Sequence, residues 1–272
     1  MAKKQYDYDV ALMTAVVVET TAAKRMLDNW TAHNFPDDPY VTYFTGTFTS
    51  GGKERKIVLA QQSQMGMTAC ALLSMKVIER FRPRYLIMVG IAAGIGGDRQ
   101  IYGDVIVPDV IWEYSTGKFV GADEAPIRFG DVGFLPRPTS LEMDPDLRTL
   151  IDKVSRSKEH EFMVHLGPMA CGSSVVANRS FVERRVHALM PGTVGLDMES
   201  YSIFYAARNC TAPRPKALVI KSICDYANNE KSDQYQKFAA YTSSQFAKWL
   251  MENKLDFEFV AGTEPGSIPA EG

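Results

Sequence analysis

The chain has 272 residues, a formal net charge of −2 and an isoelectric point near 6.1, enough length for one large domain or two small ones with a sizeable core. That charge excludes a broad cationic surface for nucleic acid, no apolar run reaches the ~18 residues of a membrane helix, and the N-terminal Met-Ala-Lys-Lys-Gln-Tyr-Asp-Tyr-Asp lacks the apolar core of a secretion signal. The cysteines (Cys70, Cys171, Cys210, Cys224) are widely spaced in mostly apolar surroundings and are read as free thiols of a reducing, cytoplasmic compartment; no His-x-x-x-His or Cys-x-x-Cys occurs, so no metal and no other cofactor is expected.

Val10 to Val18 is a near-continuous apolar run, read as a buried strand of a parallel-type sheet. It stops at Glu19, and a helical stretch continues through Leu27. Glu19 thus falls at a strand-to-helix junction, where open α/β sheets place ligands; a carboxylate complementing the helix dipole is the alternative. Tyr40 to Thr49, the Gly51-Gly52 pair and Lys56 to Gln61 form a hairpin pattern. A helix opens at Gly66, with Cys70, Leu73, Val77 and Phe81 at helical spacing, and Pro83 ends it. Tyr85 to Val89 reads as a strand running into the turn Gly90-Ile-Ala-Ala-Gly-Ile-Gly-Gly97, whose spacing is not that of a dinucleotide fingerprint. Its small residues let backbone amides approach a flat ligand, or supply a tight turn with positive φ.

Gly103-Asp-Val-Ile-Val-Pro108 and Val110 to Tyr114 are strand-like. Residues 115–138, rich in Gly and Pro, read as a long irregular loop whose Phe129, Phe134 and Leu135 cover something or pack on a partner chain. Pro145 to Ser157 is read as a helix, Phe162 to Ala170 as a strand ending in Cys171-Gly-Ser-Ser-Val-Val-Ala177, and Arg179 to Leu189 as a helix. Thr193 to Leu196 is a short strand before Asp197-Met-Glu199, which opens the helix Ser200 to Asn209; a carboxylate there accepts two hydrogen bonds from a vicinal diol, or caps the helix. Val219 to Ala227 (Val-Ile-Lys-Ser-Ile-Cys-Asp-Tyr-Ala) is a mostly buried strand ending in Asp225. An acid so embedded is hydrogen-bonded or held protonated, and hence a general acid, unless it caps the next helix. Asp233 to Asn253 is the last helix. A single domain is expected over residues 1–258, with 259–272 a disordered tail.

Three acids, Glu19, Glu199 and Asp225, each sit at a strand end, which favours one shared cleft. Taken in order, Glu19, the Gly-rich turn 90–97, Gly-Asp-Val-Ile-Val-Pro, Asp-Met-Glu-Ser and Ile-Cys-Asp-Tyr-Ala resemble the nucleoside phosphorylase superfamily over about residues 8–255, and within it the methylthioadenosine/S-adenosylhomocysteine nucleosidase branch. The resemblance implies an α/β fold of three layers, αβα, with a mixed sheet curling into a partial barrel, and cleavage of the N-glycosidic bond of an adenine nucleoside. It implies that Asp225 protonates the leaving purine and Glu19 activates water. Glu199 and Met198 would bind the ribose, Ala92, Ala93, Gly94, Val175 and Val176 the base, and Tyr235 would close the 5′ side. It implies a small-molecule purine nucleoside or nucleotide as partner, and a homo-oligomer, dimer or hexamer, in which loop 115–138 serves the neighbour's pocket. Met88 stands where the phosphorylases carry an arginine, which favours hydrolysis. Cys224 stands where a serine is usual, and Val175 where an aromatic often stacks on the base. Nucleotide (AMP/ATP) nucleosidases, phosphate-dependent phosphorylases and a non-catalytic nucleotide-sensing module are the alternatives.

Overall fold

The computed structural model of the chain describes residues 5–97, 99–125, 127–129, 132–228 and 233–259. The first half carries β1 (Tyr8–Thr14), α1 (Val17–Lys24), β2 (Thr31–Phe35), β3 (Asp38–Ser50), β4 (Lys53–Gln61), α2 (Met67–Phe81), β5 (Pro83–Gly94) and β6 (Val105–Glu113). β7 (Gly117–Gly121), β8 (Ile127–Phe129), β9 (Val132–Pro136), β10 (Thr139–Glu142), α3 (Pro145–Ser155) and β11 (Val164–Cys171) follow. The chain closes with α4 (Arg179–Phe181), β12 (Gly195–Asp197), α5 (Ser200–Asn209), β13 (Lys216–Asp225) and α6 (Gln236–Asn253).

The first part of the N-terminal apolar run forms β1 because both its faces are covered: it lies between β4 and β5, parallel to each. The strand expected to reach Val18 stops at Thr14, and Val17 and Val18 open α1. The main sheet follows the order β10-β6-β11-β12-β5-β1-β4-β3-β2. β13 joins it twice, parallel to β5 from Lys216↔Tyr85 onward and antiparallel to β6 at Lys221↔Ile106 and Ser222↔Val105. β6, β11, β12, β5 and β13 therefore close a five-stranded ring, from which the remaining strands extend. α1 packs with α6 and α2 with α5, the two helical layers of the αβα arrangement. The expected mixed sheet, curling into a partial barrel, is thus present. All four cysteines are buried free thiols, and no helix among the described residues is long and apolar enough to cross a membrane.

Several elements differ from expectation. Gly90 to Gly94 continues β5 instead of turning, because pairing with β13 and β12 keeps it extended; the positive φ falls later, at Gly97. Gly90 serves space: a Cβ there would lie 1.9 Å from Glu19 Oε1. The stretch 115–138 holds a three-stranded antiparallel sheet, β7-β9-β8, with Phe134 buried beneath the Arg185 guanidinium, 3.9 Å away. β2 pairs with β3 and was not expected from its mixed composition. The expected helix over 179–189 begins at α4 but widens into a π-type turn at Val182–His187. The packed chain passes the expected boundary at 258 by one residue: Phe259 sits edge-on to Tyr6 and Tyr85, and its carbonyl accepts from Arg84. The rest of the expected tail, 260–272, lies outside the described residues.

Candidate active site

Glu19 sits in the first turn of α1, and Val16 at the N-cap has no side-chain acceptor to offer. Glu19 fills that need. Its Oε2 accepts the backbone N–H of Ala15 (2.6 Å) and of Val16 (3.1 Å). Its Oε1 crosses to β5 and accepts the N–H of Ile91 (2.8 Å), reached over the bare Gly90. Glu19 therefore stands in the first turn of α1, where it complements the helix dipole, and also on the wall of the cleft. An acceptor-only carboxylate satisfies all three donors at once.

At the start of α5 the two acids divide the work. Asp197 does the capping: it accepts the Ser200 N–H (3.2 Å) and the Ser200 hydroxyl. Glu199, at the N-cap position, makes no cap bond and is free to face the cleft, where its Oε1 accepts the Gly66 N–H at 2.8 Å. Burial pushes the Glu199 carboxyl up to about 7, against the lowering influence of the Lys221 ammonium and with the raising influence of Asp197.

Asp225 ends β13 and is buried. Among the described residues no helix begins within three residues of it. Its Oδ1 accepts the N–H of Ala227 (2.9 Å), two residues on, and the Cys224 thiol lies 3.5 Å from its Oδ2. Ala227 takes φ 51°, a left-handed conformation uncommon for alanine, and this folds the chain back under the acid.

These acids line one cavity of about 450 Å³ at the carboxyl ends of the strands. Of the expected residues, Glu19, Ala92, Ala93, Val175, Val176, Met198, Glu199 and Asp225 all lie on its wall. Gly94 and Tyr235 do not. A Cβ on Gly94 would meet Ile223 at 2.8 Å, so the glycine serves packing within the ring. Tyr235 stacks on Tyr102, 3.8 Å between ring centres and 10° between planes, and Gln236 lines the cavity in its place. The charged residues among the described lining are all acids: Glu19, Asp197, Glu199 and Asp225. Val17, Met65 and Val175 form an exposed apolar mouth.

One charged residue at the site was not singled out from the sequence. Lys221, in the middle of β13, is fully buried, with Nζ 3.6 Å from Glu19 Oε1, 3.7 Å from Asp197 Oδ2 and 4.0 Å from Glu199 Oε2. Burial acts to lower its pKa, but the three carboxylates more than offset this and hold the ammonium above the usual lysine range. The signal was available: a lysine with apolar residues on both sides, inside a strand read as buried. Among the described residues no cluster of His, Cys, Asp and Glu forms a metal site.

A ring-closed α/β sheet with a nucleoside-sized, carboxylate-lined cleft at its strand ends defines a class of small-molecule site. The chain belongs to the phosphorylase superfamily, whose profile matches residues 10–252. It is 29% identical over 245 residues to the uncharacterized protein y4jS of Sinorhizobium fredii (strain NBRC 101917 / NGR234), covering 84% of this chain and 57% of that protein. It is 29% identical over 208 residues to a death domain-containing ATP nucleosidase of Amphimedon queenslandica, covering 72% of this chain and 38% of that one. The chain thus spans less than two thirds of either relative. With a 5′-methylthioadenosine/S-adenosylhomocysteine nucleosidase of Staphylococcus aureus it shares 25% over 219 residues, 78% of this chain and 86% of that protein. Among solved structures, the nucleosidase of the same name from Neisseria meningitidis, in complex with methylthio-immucillin-A, superposes with a TM-score of 0.71 at 21% identity, covering 90% of this chain and 99% of that one. The one from S. pneumoniae, with a transition-state inhibitor, gives 0.70 at 24%, covering 90% and 98%. These likenesses establish the fold.

Proposed function

We propose that this chain hydrolyses the N-glycosidic bond of an adenine nucleoside whose 5′ group has no net charge, such as methylthioadenosine or the zwitterionic adenosylhomocysteine. The observation that carries the reading is the convergence of Glu19, from the start of α1, Glu199, from the start of α5, and Asp225, from the end of β13, on one cavity. Asp225 gives its proton to N7 of the purine as the bond from the anomeric carbon to N9 breaks and its electrons pass to the base. Glu19 takes a proton from the water that adds to the anomeric carbon. Two of its three N–H contacts fall on Oε2, which leaves a lone pair on Oε1 for that water. Such cleavage passes through an oxocarbenium-like state, and one positioned acid contributes roughly 10²–10⁴-fold. Glu199, with Oε1 committed to Gly66, offers Oε2 to the ribose hydroxyls beside Met198. Ala92, Ala93, Val175 and Val176 form the base wall.

Hydrolysis is favoured over phosphorolysis because four acids line the cavity against the single buried ammonium of Lys221 behind them, an excess of negative charge that repels phosphate. Met88, at the position of the phosphorylases' arginine, is buried in the core. The same charges and the apolar Val16, Val17, Val18 and Met65 near the mouth favour an apolar 5′ group over a 5′-phosphate. We further read the protein as a cytoplasmic homo-oligomer, in keeping with its buried free thiols and the exposed apolar mouth, with Val17 69% and Val175 55% exposed. A monomer by light scattering at micromolar concentration counts against the assembly.

The test is incubation with methylthioadenosine, adenosylhomocysteine, adenosine, AMP and ATP in phosphate-free buffer, with free adenine and sugar products separated by chromatography. Adenine from an uncharged substrate is expected. Strict dependence on phosphate with release of ribose 1-phosphate would make it a phosphorylase, cleavage of AMP or ATP alone a nucleotide nucleosidase, and purine binding with no turnover a sensing module.

A further inference from the structure

Lys221 is the sole basic side chain given to the floor of this site among the described residues, and its placement is unusual. A buried ammonium normally either makes hydrogen bonds with its three N–H groups or gives up its proton. Lys221 Nζ has no hydrogen-bond partner among the described residues, yet it lies 3.6–4.0 Å from carboxylates of three different elements: Glu19 of α1, Asp197 at the end of β12 and Glu199 at the start of α5. The remaining titratable group facing it is the Cys70 thiol of α2, which burial holds protonated. The ammonium is not committed to one acid. It stands between them, as one positive charge among three negative ones.

We propose that Lys221 is the positioning residue of the site: its ammonium offsets the repulsion among Glu19, Asp197 and Glu199 and lets their carboxyl groups stand side by side, so that one serves water and another the ribose hydroxyls. The chemistry assigned to those acids rests on the hydrolase reading; the electrostatic claim does not. The argument is one of charge balance. Three carboxylates gathered into a water-poor pocket repel one another, and the usual relief is uptake of a proton by one of them. Glu199 is closest to that point. Burial is the largest influence raising it and Lys221 the largest lowering it, with Asp197 and Glu19 adding to the rise and the Gly66 N–H opposing it. Without the ammonium, Glu199 takes up its proton at a higher pH than it does in the wild type. A carboxylic acid has a donor where the anion had an acceptor, so it no longer accepts from two vicinal hydroxyls.

The experiment compares wild type with Lys221→Met, which removes the charge at similar length, and Lys221→Arg, which keeps it. Calorimetry from about pH 5 to pH 9 measures the affinity for a C-nucleoside analogue of adenosine, whose carbon–carbon glycosidic bond cannot be hydrolysed, and for free adenine. In wild type the C-nucleoside's advantage over adenine should rise with a midpoint near 7, following Glu199. In Lys221→Met that midpoint should move up by at least about one unit, with an affinity loss of about fivefold or more at pH 7. Lys221→Arg should restore the midpoint towards wild type, and adenine affinity should change less than about twofold in all three. An unmoved midpoint in Lys221→Met overturns the proposal, because a purely structural lysine would lower the melting temperature without shifting it. Should Lys221→Met not fold, the double variant Lys221→Met with Glu199→Gln removes one charge of each sign. Its recovery supports the proposal, and its failure to fold overturns it. Binding alone is read, so absence of turnover in wild type would defeat the hydrolase reading while leaving this test intact.

Discussion

The floor and the mouth of the cavity are built on opposite principles. On the floor, each acid is tied to backbone: Glu19 to Ala15, Val16 and Ile91, Glu199 to Gly66, Asp225 to Ala227, and Asp197 to Ser200. Those N–H groups belong to strand ends and helix starts, so no acid moves without moving an element of the fold. At the mouth, Val17, Met65 and Val175 project with half or more of their surface exposed and hold no polar group in place. On the proposed reading the floor fixes the reaction and the mouth selects what is presented to it. Substitutions on the floor should therefore act on turnover, and substitutions at the mouth on the choice of nucleoside.

The largest expected effect is that of Asp225→Asn. The transferable proton is lost while shape and the Ala227 contact remain. Single-turnover cleavage should fall by about 10² or more, with adenine affinity within about twofold by calorimetry. Unchanged turnover would leave Asp225 only its turn-forming role with Ala227.

Next comes Gly90→Ala, which touches no ligand. Its Cβ would stand 1.9 Å from Glu19 Oε1, so either the carboxylate or β5 must shift. Turnover should fall by about tenfold or more, and overpacking should cost about 1–3 kcal/mol, visible as a lowered melting temperature. Full activity in this variant would show that the placement of Glu19 is not the constraint claimed for the floor. Glu19→Gln should likewise lose water activation, and it should also destabilise the fold. An amide cannot present acceptors to Ala15, Val16 and Ile91 together, and one N–H left facing the NH₂ group costs about 1–3 kcal/mol.

A third effect is read in stability against pH. The folded Glu199 carboxyl lies near 7, above its ordinary value of 4.5. The folded protein therefore binds this proton more tightly than the unfolded chain does. The contribution is fully present below about pH 4.5 and is lost as pH rises through about 7. It amounts to on the order of 3 kcal/mol at most. Relative to Glu199→Gln, wild type should lose stability between about pH 5 and pH 8 in chemical denaturation. Parallel curves for the two proteins would show that Glu199 titrates normally.

The smallest effect belongs to the mouth. Val175→Phe should change KM by a few-fold, about the 1 kcal/mol of an aromatic contact, with kcat nearly constant. A large fall in kcat would erase the division between the two regions.

The floor was largely legible in the sequence because buried acids at strand ends are rare enough to stand out. Glu19, Glu199 and Asp225 were visible for that reason. Which acid caps and which faces the cleft was not, because Asp197 and Glu199 flank one methionine and only the helix start decides between them. Lys221 escaped because a strand lysine is ordinarily read as solvated, and its partners come from α1, β12 and α5, far apart in sequence. Tyr235 was misplaced by one position relative to Gln236, since the phase of a helix start after a turn is not fixed by composition. The sheet β7-β9-β8 hid in a Gly- and Pro-rich stretch: its strands are short, and the burial of Phe134 depends on Arg185, which lies beyond α3 and β11.

The double pairing of β13 bears on how the protein comes into being. A nascent chain that stops before Lys216 already holds Glu19, Asp197 and Glu199 but lacks both Lys221 and Asp225. It also leaves β5 and β6 with unpaired edges that another chain could occupy. The strand that shuts the ring thus brings Lys221 and Asp225 to the site in one step, after the strands it joins.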